Sequence, residues 1–286
     1  MTIPDISNYH HVSDWAKVKK ACPFIIGRAT EGLETKTTAN LLNGVDRYLD
    51  KFIEGCEKNK IPYWLFVYLD KGNELAQTKY MVKVCKPKVG PYFRGYILDV
   101  EAQNTASNVK EALNWLAKNT DKCMFYTYYG MYSKYKSIIT NLPSNCAYWE
   151  ARTGKNTGYY DPRYPCHKNA DLFQYTSLGT CEGISGKCDL NMIMSTKKGE
   201  SWFTGKTDKS QPTETKTTYY PRYTGKSTKI DTVLKAIGVP STYRGSYAKR
   251  RPIARKNGYS GNTYIGTAKQ NMDLITKACK GKLVKL

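Results

Sequence analysis

By type and spacing, Asp99 and Glu101 are the residues of this 286-residue chain best equipped to do chemistry. They end the run Gly95-Tyr96-Ile97-Leu98-Asp99-Val100-Glu101. Tyr96, Ile97, Leu98 and Val100 favour a strand, and strand side chains alternate, so Asp99, Glu101 and Ile97 share one face. Burying a carboxylate costs several kcal/mol unless it is paired or used. Two carboxylates in one cleft are the minimal equipment for cutting a glycosidic bond: one donates a proton to the leaving oxygen and the other supports the cationic centre. The competing reading is a strand running into a loop, with both groups solvated.

Other strand ends carry polar groups that could join the pair. The candidate strands are Ile3–Tyr9, Phe24–Thr30, Tyr63–Leu69, Gly95–Glu101 and Met124–Tyr129, then Ala147–Ala151, Asp171–Thr176 and Lys187–Asn191. They bring Asp5, Arg28 with Glu31, Tyr63 and Tyr68, Tyr126, Trp149, Gln174, and Asp189 with Asn191. Between the early strands, helical spacing covers Val12–Lys20, Thr38–Lys60, Glu74–Lys86 and Thr105–Asn119, the last with Ser107 as its N-cap. Alternating strands and helices predict a parallel sheet with right-handed crossovers. After residue 130 no convincing helix is visible before the tail. The expected fold class is α/β: an irregular β/α (TIM-like) barrel, regular in its first five units, with a small C-terminal helical domain. An open doubly wound sheet is the alternative, but no Gly-rich phosphate loop follows the first strand. In a barrel, the C-terminal strand ends would gather the carboxylates in a cleft walled by aromatic rings.

Composition narrows the chemistry. Three His (His10, His11, His167) offer few candidates for His-based metal sites or a Ser-His-Asp triad. Nine Cys without a C-x-x-C pair argue against a zinc ribbon or a dense disulfide framework and predict free, mostly buried thiols. No apolar run reaches membrane-spanning length, so no membrane insertion is expected. The N-terminus lacks a basic n-region and an apolar h-region, which predicts cytoplasmic synthesis without a signal peptide.

Taken in order, a set of motifs resembles a known family. Asp5-Ile6-Ser7, the stretch from Phe24 to Gly32, Ile97-Leu98-Asp99-Val100-Glu101, Tyr126-Thr127, Tyr148-Trp149-Glu150-Ala151, Phe173-Gln174-Tyr175-Thr176-Ser177 and the stretch from Gly183 to Asn191 are similar to lysozymes of glycoside hydrolase family 25. These are the Chalaropsis-type muramidases common among phage endolysins. The resemblance covers residues 1–200. It implies cleavage of the β-1,4 bond between N-acetylmuramic acid and N-acetylglucosamine in bacterial peptidoglycan, with no metal or organic cofactor and with action on the wall after release from the host cytoplasm. It carries catalytic roles onto Asp5, Asp99, Glu101 and Asp189. Glu101 would be the general acid and then base. Asp99 would stay ionised, either stabilising the oxocarbenium-like centre or positioning the substrate's acetamido group. Asp5 and Asp189 would hold the network or bind substrate. Arg28, Glu31, Tyr63, Tyr68, Tyr126, Trp149 and Gln174 would line the sugar subsites. Phe173, Cys188 and Glu150 depart from the family pattern, which touches subsite detail and not the carboxylates. A non-catalytic wall polysaccharide binder using the same cleft is the competing function.

The domains expected are a catalytic barrel over 1–204, a linker over 205–222 and a basic helical domain over 223–286. Residues 216–286 hold 16 Lys and Arg against 2 Asp and Glu, which predicts a polyanionic partner. Helices are expected at Ile230–Val239, Arg251–Lys256 and Thr267–Lys280, with stops at Gly258 and Gly281. No helix-turn-helix or RNA-recognition signature is present, so nucleic acid is set aside in favour of anionic wall polymers. The sequence sets no oligomeric state.

Overall fold

Eight strands close on themselves in the computed structural model, which describes residues 2–194, 198–205, 219–259 and 263–285. They are β1 (Ile3–Ile6), β2 (Ile25–Glu31), β3 (Tyr63–Tyr68), β4 (Phe93–Asp99), β5 (Cys123–Tyr128), β6 (Cys146–Ala151), β7 (Leu172–Gly179) and β8 (Cys188–Ile193). Neighbours from β2 to β7 are parallel. The short first strand closes the ring, because β1 pairs β2 in parallel and β8 antiparallel, with Asp5 opposite Asp189. β7 and β8 are also antiparallel, so the last unit breaks the β/α repeat. The chain divides into two units, Met1–Thr207 and Asp208–Leu286.

Alternation along the strands sorts side chains into two layers. Residues such as Ile6, Leu65, Leu98, Phe125 and Tyr148 face outward and form one core with the surrounding helices. Those helices are α1 (Trp15–Ala21), α2 (Leu49–Asn59), α3 (Glu74–Cys85), α4 (Ala106–Asn119) and α5 (Tyr132–Ile139). Ile3, Ile26, Trp64, Ile97, Met124, Ala147, Trp149 and Leu172 face inward and fill the barrel. A last turn, α6 (Glu200–Thr204), plugs the end where the parallel strands begin. There Phe203 stacks on Phe24 at 5.4 Å, and the Trp64 indole N–H donates to the Phe203 carbonyl at 2.9 Å. Gly95 makes room for this plug, since a Cβ there would lie 2.5 Å from the Trp64 ring. One end of the barrel is therefore sealed with hydrocarbon, leaving the other for polar groups.

Several sequence expectations give way here. The helix expected over Thr38–Lys60 begins only at Leu49. Ahead of it, Leu41–Leu42 and Val45–Asp46 form a hairpin turned by Asn43 and Gly44, both in the left-handed region (φ 52° and 72°), as an Asn-Gly turn requires. Thr105, not Ser107, is the N-cap of α4. α5 lies where no helix was expected. It is short and polar, and buries only Tyr135, Ile138 and Ile139.

The second unit wraps α7 (Ile230–Ala236), α8 (Tyr247–Lys256) and α9 (Ala268–Cys279) around Val233, Leu234, Ile253, Tyr264, Leu274 and Leu283. α8 begins at Tyr247, four residues ahead of the expected start and capped by Ser246, so Pro252 lies inside the helix and not in its first turn. Thr267 and Gln270 form a capping box on α9. Gly258 and Gly281 adopt positive φ at the helix stops. Tyr219 and Tyr220, assigned to the linker from composition, belong to this unit: Tyr219 bridges Val284, and the Tyr220 N–H donates to the Leu283 carbonyl at 2.8 Å. Most of the remaining linker lies outside the described residues.

Candidate active site

The inward positions nearest the C-terminal strand ends are polar in strand after strand. β1 supplies Asp5, β4 Asp99 with Glu101 just beyond it, and β8, which runs the opposite way, Asp189 from its N-terminal end. Register brings them together: Asp5 pairs Asp189 directly, while Asp99 pairs Tyr68 on one side and Tyr126 on the other. Asp5 and Asp99 are buried, Glu101 and Asp189 half-buried.

A hydrogen-bonded chain connects them. Asn191 Nδ2 donates to Asp5 Oδ2 at 2.6 Å, and Gln174 Nε2 donates to the same carboxylate at 3.0 and 3.2 Å. The Tyr126 hydroxyl donates to Gln174 Oε1 at 2.9 Å and also lies within hydrogen-bond reach of Glu101. The Trp149 indole N–H donates to Asn191 Oδ1 at 2.7 Å. The amides of Gln174 and Asn191 are thus fixed by what each end meets: carboxylate at the nitrogen, N–H or O–H at the oxygen.

Burial raises all four carboxyls, and like charge adds to it at Asp5, Asp99 and Asp189. Loss of solvent is the first cause for each. Asp99 rises well above the usual carboxylate range, pushed further by Glu101 and Asp5 and opposed by Arg28. Glu101 rises by burial, opposed by its bond with Tyr126. Asp189 is pushed up to about 9, with Asp5 as its second cause. Burial and neighbouring like charge thus oppose the expectation that Asp99 stays ionised.

Arg28 and Glu31 join the site through a β-bulge. Three residues apart, they would face opposite ways on a regular strand. The register of β2 against β3 slips between Arg28 and Thr30, so Arg28 pairs Phe66 and Glu31 pairs Tyr68, both inward. Arg28 Nη1 then meets Glu31 at 2.6 Å and its Nε meets Asp46 from the hairpin at 2.8 Å. Arg28 Nη2 and Asp99 Oδ1 are buried without a hydrogen-bond partner. Tyr68 feels the charge of Asp99 and Glu101, which places it beside them.

Tyr63 does not belong with these groups. It begins β3 on the outward face, wholly buried against Phe52 and Phe93, and its hydroxyl accepts the Gly90 N–H at 3.4 Å. Its separation of five from Tyr68 already puts the two on opposite faces of a strand. The sequence reading named Asn191 beside Asp189 on the same face but gave it no role in the site, and it left out Asp46, for which no local signal exists.

With this geometry in hand, likeness to known proteins becomes informative. The sequence profile for glycosyl hydrolases family 25 matches residues 4–184. The chain belongs to that family. It is accordingly a glycoside hydrolase. Solved structures similar to it include GHIP, a glycosyl hydrolase 25 of Streptococcus pneumoniae, at 19% identity over 72% of this chain and 93% of that one (TM-score 0.61). The catalytic domain of endolysin ply40 from bacteriophage P40 of Listeria monocytogenes shares 21% identity over 69% and 94% (TM-score 0.56). The bacterial lysozyme of Streptomyces coelicolor shares 16% over 72% and 98% (TM-score 0.55). At these identities the likeness is one of fold, and it places the chain among closed family 25 barrels. Comparison with curated protein sequences gives no match. The family match ends before β8, so Asp189 and Asn191 rest on the register described above.

Proposed function

We propose that the protein is a peptidoglycan N-acetylmuramidase that cuts the β-1,4 bond between N-acetylmuramic acid and N-acetylglucosamine, as a phage endolysin does after release from the host cytoplasm. The observation that carries this reading is the cluster of four carboxyls at the polar end of a family 25 barrel. Glu101 is the general acid: its raised proton affinity keeps it protonated until the glycosidic oxygen arrives. Tyr126 donates its O–H in a hydrogen bond to Gln174, and a lone pair on its oxygen accepts from the protonated Glu101 carboxyl and orients it. Asp99 Oδ1, a buried acceptor without a donor, takes the N–H of the 2-acetamido group. That donation favours its ionised form and turns the acetamido carbonyl oxygen toward the anomeric carbon. Attack by that oxygen expels the leaving sugar as Glu101 gives up its proton. Glu101 then activates water, and configuration is retained overall. Asp5 and Asp189 position the network, and Arg28 Nη2 supplies a free donor to a sugar hydroxyl.

The basic second unit serves as a wall-targeting module drawn to anionic polymers. The test is clearing of purified Gram-positive walls, with mass spectrometry of the new reducing end. Wild type should leave N-acetylmuramic acid there, and Glu101→Gln should lose at least 10²-fold in rate, the lower range for a lost general acid. Clearing by Glu101→Gln near the wild-type rate would overturn the assignment.

A further inference from the structure

Where β6 ends, the chain leaves the barrel wall through Arg152. Its backbone N–H donates to the carbonyl of Gln174 in the neighbouring strand at 3.0 Å, so Arg152 stands on the rim of the barrel at the C-terminal end of β6. The guanidinium carbon lies over the Tyr129 ring, 3.8 Å from its centre, and 5.7 Å from the centre of the Tyr164 ring. Tyr129 stacks on His167 at 4.5 Å, and His167 on Tyr132 at 3.6 Å. Below this column, buried Glu150 accepts from the Tyr148 hydroxyl at 2.6 Å and the His167 backbone N–H at 3.0 Å, and meets His167 Nδ1 at 2.8 Å. Glu150, the charge that departs from the family pattern, thereby anchors the stack from outside the barrel.

The result is a cation held in one orientation and left without a counter-charge. Among the described residues Arg152 makes one side-chain hydrogen bond, from Nη1 to the Pro165 carbonyl at 2.8 Å, and no ion pair. The acids nearest in sequence are committed elsewhere, Glu150 to His167 and Asp161 to Arg163 at 2.6 Å. The loop from 152 to 168 carries four cations, Arg152, Lys155, Arg163 and Lys168, against Asp161 alone. Stacking spares a guanidinium much of the ordering cost of binding and leaves its edge open to a planar anion.

We infer that Arg152 is a carboxylate-recognition element on the barrel's C-terminal rim, taking an acid group carried by the glycan outside the sugar pair being separated. The inference rests on the muramidase reading and extends it to a specificity residue. Soluble peptidoglycan chains, native or with carboxyls converted to methylamides by carbodiimide and methylamine, provide the test on the full-length protein. Amidation should lower wild-type kcat/KM about tenfold, the loss expected for a half-exposed charge-assisted contact. Arg152→Gln should lose as much on native chains and change little on amidation. Arg152→Lys should recover part of the loss, and Tyr129→Leu, which removes only the platform, should weaken discrimination between the two substrates. The same cycle is read as binding in the Glu101→Gln background, so it does not depend on turnover. An Arg152→Gln protein that loses equally on both substrates, or keeps wild-type discrimination, overturns the inference. A wild type that cleaves neither substrate sinks the muramidase reading, and the binding cycle still decides Arg152.

Discussion

Replacing Asp189 with Asn removes a carboxyl that the fold holds at about 9, against 3.8 ordinarily. The amide can still donate to Asp5, as the protonated acid does. A carboxyl raised by folding binds its proton more tightly in the native state. Its stabilising contribution is complete below its ordinary value and lost as pH rises toward the folded one. At pH 7 the gap of about three pH units, at about 1.36 kcal/mol each, sets a ceiling of about 4 kcal/mol. Asp189 is half-buried and titrates jointly with Asp5, so about 2 kcal/mol is the expected gain for Asp189→Asn at that pH. Urea unfolding at pH 4, 6 and 8 reads it. The five Trp of the chain, at 15, 64, 115, 149 and 202, all belong to the barrel unit, so indole fluorescence follows that unit alone. The two proteins should coincide near pH 4 and diverge as pH rises, with the variant the more stable. A variant less stable at pH 8, or a difference independent of pH, would refute the account of a crowded carboxyl cluster.

Other parts of the structure make equally direct claims. Tyr63→Phe should leave wall clearing unchanged and cost about 1 kcal/mol in unfolding, the worth of one hydrogen bond; a drop in kcat would return Tyr63 to the cleft. Phe203→Ala should destabilise the barrel by about 3–5 kcal/mol, the usual cost of emptying a buried aromatic site, as a lowered urea midpoint shows. Ending the chain after Gly205 should weaken binding to whole walls, and flatten its dependence on salt, more than it slows cleavage of soluble fragments. Equal loss in both assays would assign the second unit to support of the barrel.

The barrel strands were legible because each is a short apolar run, and a buried parallel strand needs little else. The carboxyls were legible because side-chain period two puts Asp99 with Glu101 on any strand. Where a local irregularity decides, the pattern misled. The bulge in β2 that turns Arg28 and Glu31 to the same side has no signature in Arg28-Ala29-Thr30-Glu31. Asn43-Gly44 did carry a hairpin signal, but the amphipathic run around it reads equally well as helix until two left-handed residues in succession are required. Tyr63 was misassigned by counting residue types at strand ends and ignoring their parity. α5 was hidden because Tyr132–Ile139 offers too few apolar positions to show a period. The pairing of Arg28 with Asp46 joins elements whose proximity only the closed fold creates.

The closing strand has a consequence for when the enzyme can act. Asp5 and Asp189 stand 184 positions apart in the chain, yet each is the other's cross-strand neighbour. A nascent chain still lacking β8 has neither a sealed ring nor the complete set of acids. Closure of the ring and assembly of the four carboxyls therefore arrive together, once β8 has been made and has docked.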